Sequence, residues 1–134
     1  MKRLSALLVV FSILLCSPAY AKSSNYVFTG KDMYESCTHA VKGLDRTGEF
    51  DQHRFGVCAG YIAGIIDSHT VLTTVELLPD DLFCLPRDIT PAQVIREVTR
   101  FLAENPEKQQ DLAAYSVILA LSNAYPCPEE AADK

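Results

Sequence analysis

The apolar positions of this chain recur mostly at intervals of three and four. Met33, Cys37, Ala40, Val41 and Leu44 form the first such series, with Thr29 placed to cap it and Asp32 in its first turn. The segment LDRTGEF, containing Gly48, interrupts the series. A second helix is predicted from near Asp51 into the seventies. Pro79 stops it, and the β-branched run Val71–Val75 favours an earlier end. TPAQVIREVTRFLAENP carries the sharpest local signal. Thr90 and Gln93 make a capping box, Pro91 fits the first helical position, and Val94, Ile95, Val98, Phe101 and Leu102 line one stripe. Asn105-Pro106 closes that helix and opens a fourth, expected from about Glu107 to Tyr125 and deeply packed after Ser116. VFT and VLTTV are the nearest approaches to strand alternation, and both are short. The expected fold is all-α, a compact four-helix bundle.

Helix two contains CAGYIAGIID. Helical spacing puts Cys58, Ile62, Ile65, His69 and Leu72 on one face and Gly60, Gly64, Asp67, Ser68 and Val71 on roughly the opposite one. The first face is suited to packing against helix one. The second lacks bulk at two successive turns. Glycine costs about 1 kcal/mol inside a helix, so close approach by another helix is the expected compensation. Gly60, Gly64 and Asp67 are therefore read as helix-packing positions, with helix two central to the bundle. Asp67 has two readings, an acceptor for a neighbouring helix or a contact to a partner. The polar surroundings exclude a membrane dimerisation motif despite the GxxxG spacing.

The N-terminus adds an address. Lys2 and Arg3, the apolar run Leu7–Leu15, and Ala19 and Ala21 before Lys22 make residues 1–21 a predicted signal peptide. The residue before Cys16 is Leu15, where a lipoprotein signal requires a small residue. The expected organisation continues with a tail at 22–28, a helical domain at 29–127 and an acidic tail at 128–134. After cleavage 10 basic residues oppose 17 acidic ones, a net charge near −7 that disfavours nucleic acid and anionic membrane as partners. No second long apolar stretch suggests membrane insertion.

Export changes how the cysteines are read. Cys37, Cys58, Cys84 and Cys127 remain, an even number consistent with two disulfides and three connectivities. One connectivity is symmetric about the predicted reversals. Cys37 and Cys58 are equidistant from the Arg46–Gly48 turn, and Cys84 and Cys127 from Asn105-Pro106. The other two connectivities lack that symmetry. The absence of a CxxC pair argues against a zinc site, and no cofactor is expected.

Catalytic signatures are missing as well. GxSxG, HExxH and phosphate-loop motifs do not occur, and His39, His53 and His69 are not spaced to ligate together. With the four thiols crosslinked, no nucleophilic cysteine is left. A binding or inhibitory module is the expected class, not an enzyme.

In order along the chain, Cys37, then Cys58, Gly60-Tyr61-Ile62, Gly64 and Asp67, then Phe83-Cys84 and Pro86, Asn105-Pro106-Glu107, and Pro126-Cys127 resemble the Rap/Tai family. These are periplasmic immunity proteins of type VI secretion peptidoglycan amidases. The resemblance spans residues 37–127. It implies a helical, often dimeric protein that blocks a cognate amidase whose cysteine–histidine pair cuts wall crosslinks. Blocking requires a protruding element. The candidates are the Glu76–Asp88 segment, with Asp80, Asp81 and Phe83, and the turn carrying Asn105 and Glu107. For Asp80 and Asp81 a solvated turn is the competing reading. Phe83, beside Cys84, also suits a core. A periplasmic acid- or stress-protective chaperone, or an orphan binding module of the same fold, is the alternative function.

Overall fold

The first helix, α1 (Gly30–Asp45), begins with a complete capping box. Asp32 N donates to Thr29 Oγ1, and the Asp32 carboxylate accepts from both Thr29 N, at 3.0 Å, and Thr29 Oγ1, at 2.7 Å. The helix ends where Arg46 enters the left-handed region (φ 54°) and Thr47 N donates to Lys42 O. Gly48, at φ 135°, completes the reversal. α2 (Gln52–Thr74) follows, capped by Asp51, whose side chain accepts from Arg54 N. α3 (Pro91–Glu104) has the predicted Thr90–Gln93 box, with both reciprocal bonds formed. The computed structural model describes residues 27–78 and 81–128. The predicted signal peptide, most of the 22–28 tail, Asp80 and most of the acidic tail lie outside them.

The fourth helix departs from expectation. Pro106–Gln110 is a 3-10 turn, and α4 proper runs Ala113–Ala124. Tertiary pairing separates the two. Gly30 N donates to Asp111 O and Ala113 N to Phe28 O, both at 2.9 Å, forming an isolated bridge between Thr29 and Leu112. Leu112 offers no side-chain cap, so the Phe28 carbonyl satisfies the first free N–H of α4. Ser116, fully buried, donates from Oγ to Lys108 O at 2.8 Å and fastens the turn to α4. The architecture is an all-α four-helix bundle, and among the described residues that bridge is the only extended pairing.

The central helix is α1, not α2. It contacts every other element, and Met33, Cys37 and Ala40 are wholly buried. α3 contributes Val94, Ile95, Val98 and Leu102 to the core, and α4 contributes Ala113, Val117, Ala120 and Leu121. α2 contributes only Cys58 and Ile62, although it is the longest helix among the described residues. By length and composition alone α2 would suffice to cross a membrane, and only 11% of its apolar window is buried.

Both disulfides join the residues paired by the symmetry argument. Cys37–Cys58 has a Cα–Cα distance of 5.0 Å and Cys84–Cys127 one of 4.8 Å, within the ordinary range. Their sequence separations of 21 and 43 correspond to about 3 and about 4 kcal/mol of lost chain entropy in the unfolded state. That is comparable to the net stability of a small domain.

Close helix approach occurs at a different glycine from those predicted. A Cβ added to Gly56, Gly60 or Gly64 would meet nothing within 4 Å, so among the described residues no element covers that face. A Cβ on Gly30 would sit 2.5 Å from Lys108 O and 2.9 Å from Gln109 Cα. The start of α1 and the 3-10 turn pack backbone to backbone there, with no room for a side chain.

Candidate functional site

The end of α2 is set by its own side chains. Thr70, Thr73 and Thr74 hydroxyls donate to carbonyls one turn back, at 2.7–3.1 Å, which competes with regular helix. Glu76 then adopts φ 56°, a left-handed conformation unusual for a side-chain-bearing residue outside turns. Leu77 N and Leu78 N both donate to Leu72 O, closing the helix. The turn leaves Val75 53% and Leu77 70% exposed.

The chain returns at Asp81, where the next residues are held on three sides. Leu82 N donates to His69 Nε2 of α2 at 3.0 Å, and Leu82 O accepts from Ser122 Oγ of α4 at 2.7 Å. Cys84 N donates to Tyr125 O at 2.9 Å, and the Cys84–Cys127 bond ties the same point covalently. Phe83 turns inward, 3% exposed, and stacks on His69 with ring centroids 4.2 Å apart. Leu82 turns outward, 42% exposed, beside the exposed Asp81. A backbone fixed at both the N–H and the C=O of Leu82 thus presents an apolar side chain and a carboxylate to solvent.

The predicted site residues have separate placements. Asp81 lies on this clamped segment, with its Oδ1 3.8 Å from His69 Nε2. Phe83 is core, and reaching a partner would require it to leave the His69 stack. Asn105 is only partly exposed, and its amide donates to Phe101 O at 2.8 Å as the end of α3. Glu107 is exposed on the 3-10 turn, away from the loop. Sequence reasoning missed Leu77 and Leu82 because exposed leucines in a turn show no period. It also missed the part played by His69. The available signal was a lone imidazole on the otherwise apolar Cys58–Ile62–Ile65 face.

A second feature lies along α2. An open groove of about 230 Å³ runs between α2, the 85–91 segment and α3, lined by Ile62, Ala63, Ile66, Leu85, Ile89 and Val94. Asp67 stands at its edge and, among the described residues, makes no ion pair or hydrogen bond. The acceptor role within the chain considered for it is not filled.

Other polar groups serve the fold. His39 Nδ1 accepts from Asp51 N at 3.0 Å, and Arg54 pairs with Glu35 at 3.0 Å, both across the first hairpin. Hydrogen bonds from Thr29 hold the Asp32 carboxyl below its ordinary value. Burial pushes the Tyr61 and Tyr125 phenols up. Asp81, Cys84 and Cys127 converge within 4.8 Å, but both sulfurs are in the disulfide, so the trio offers one carboxylate and no thiolate.

The ordered motifs, the two disulfides and the bundle agree with comparison to known families. The model for Rap1a immunity proteins matches residues 29–127. No curated protein matches the chain. The match covers most of the sequence and nearly all of the described bundle, and the chain belongs to the Rap1a immunity protein family.

Proposed function

We propose that this chain is a periplasmic immunity protein that binds and inhibits a cognate peptidoglycan amidase delivered by type VI secretion, with no catalysis of its own. Family membership and the disulfides support an immunity role in an oxidising compartment. The observation that carries the contact surface is the clamp on Leu82. Its backbone is fixed by His69, Ser122 and the neighbouring disulfide while its side chain stays outside. A loop already held in one conformation loses little entropy on binding. Leu77, Leu82 and Val75 supply apolar area, and Asp81 supplies charge toward a catalytic histidine or a basic rim. The uncovered Gly60–Gly64 face supports self-association, since a second copy of α2 is a helix of matching small surface.

The test uses a peptidoglycan amidase effector of a type VI secretion system, chosen from the same genome. Directed to the periplasm, that enzyme lyses cells, and co-expression of this chain restores growth. Purified chain abolishes release of peptide crosslinks from peptidoglycan at equimolar ratio. Lysis unchanged by the chain, together with no binding by calorimetry, overturns the proposal.

A further inference from the structure

His69 occupies an unusual position for a titratable group. It projects from α2 into the base of the 81–85 segment with its side chain 10% exposed. Its ring is stacked on Phe83, and its Nε2 accepts the Leu82 amide proton. An accepting Nε2 requires a free lone pair there, so the ring is neutral with its proton on Nδ1. Protonation would place an N–H on Nε2, facing the Leu82 N–H at 3.0 Å, two donors with no acceptor between them.

An alternative acceptor is within reach. Asp81 Oδ1 lies 3.8 Å from the same nitrogen and can accept from it once it carries a proton. The other groups around the ring are Thr70 and Thr73 hydroxyls from α2, which donate to α2 carbonyls, and the non-titrating Cys84–Cys127 bond. Ile66 and Leu85 complete the surroundings, and among the described residues no lysine or arginine lines them. Acidification therefore exchanges one bond for another. Nε2 stops accepting from Leu82 and donates to Asp81, and the backbone bearing Leu82 loses its attachment to α2.

We propose that neutral His69 is the positioning residue of the partner-binding loop, and that its protonation releases Leu82 and weakens capture of the partner. This rests on the loop being the contact surface, so the experiment separates the two. Hydrogen exchange at the Leu82 amide is measured on the chain alone and expressed as protection relative to the intrinsic rate. As pH is lowered from about 7.5 to about 5.5, protection falls about tenfold. His69→Gln keeps an uncharged acceptor at the same reach, and its protection stays level over that range. Asp81→Asn removes the alternative acceptor for Nε2, and the loss of protection over that range is smaller than in the wild type.

Equal protection at both pH values in the wild type, or the same loss in His69→Gln, overturns the positioning role. Affinity for the amidase is read in parallel and follows the same profile, falling about tenfold in the wild type and staying level in His69→Gln. Protection that falls while affinity stays level upholds the clasp but removes this loop from the interface.

Discussion

Gly30 lies against the carbonyl of Lys108, so closely that a Cβ on it would come within 2.5 Å of the oxygen. The obstacle is backbone, flanked by Gln109 Cα and the buried Ser116 Oγ, and it cannot rotate away. Gly30→Ala should therefore separate α1 from the 3-10 turn and cost about 1–3 kcal/mol in urea unfolding, as overpacking does elsewhere. It should also weaken the Gly30–Asp111 backbone bond, visible as faster exchange of the Gly30 amide.

Gly60 and Gly64 should respond in the opposite direction. Each faces open space within the chain, so Gly60→Ala and Gly64→Ala should each raise stability by up to about 1 kcal/mol, measured at low protein concentration. If α2 is where two copies meet, sedimentation at high concentration should show weaker association in the same variants.

Leu82 and Phe83 are adjacent in sequence and should separate cleanly in experiment. Leu77→Ala and Leu82→Ala should reduce amidase affinity about tenfold or more with little change in melting. Phe83→Ala should cost about 3–5 kcal/mol of stability, because it empties the space over His69. Calorimetric binding and thermal melting on the three variants check this division.

The two crosslinks should differ in consequence. Replacing Cys37 and Cys58 by alanine should cost about 3 kcal/mol, and more where the buried site fails to collapse. Replacing Cys84 and Cys127 should cost about 4 kcal/mol and also free the loop, so that Leu82 amide protection falls at pH 7.5. Urea titration and hydrogen exchange under oxidising conditions measure the two effects.

The capping box sets an acid dependence. The hydrogen bonds from Thr29 depress the folded-state value of Asp32 below its ordinary 3.8. Its contribution is thus fully present above pH 3.8 and is lost as pH falls through the lower folded value. Asp32→Ala should be less stable than wild type at pH 6, and the gap should close below the carboxylate range. Thr29→Ala should cost about 1 kcal/mol at neutral pH. Urea titrations from pH 6 to about 2.5 follow both.

The parts legible in the sequence were those whose causes are local. Thr29 and Thr90 start helices by hydrogen bonds reaching three residues ahead, as read, and Asp51, read only as near a helix start, caps α2 in the same way. The α3 stripe buries Val94, Ile95, Val98 and Leu102 because their spacing places them on one side of any helix. The disulfide pairing followed from the hairpins, since residues equidistant from a reversal lie side by side.

What depended on partners distant in sequence was not legible. The break between the 3-10 turn and α4 exists because residues 28–30 pair with 111–113, some eighty positions away. Gly60 and Gly64 announced a close approach that this chain makes instead at Gly30, because α1 and not α2 occupies the centre. Spacing assigns a residue to a face, but only packing decides which faces are covered. The sequence by itself thus determined the helices, their caps and their crosslinks. The tertiary structure alone decided that His69 and Ser122 would grip the two peptide units flanking one residue and turn Leu82 outward. Those contacts join segments 13 and 40 residues apart, and their energy exists only once the bundle has brought them together.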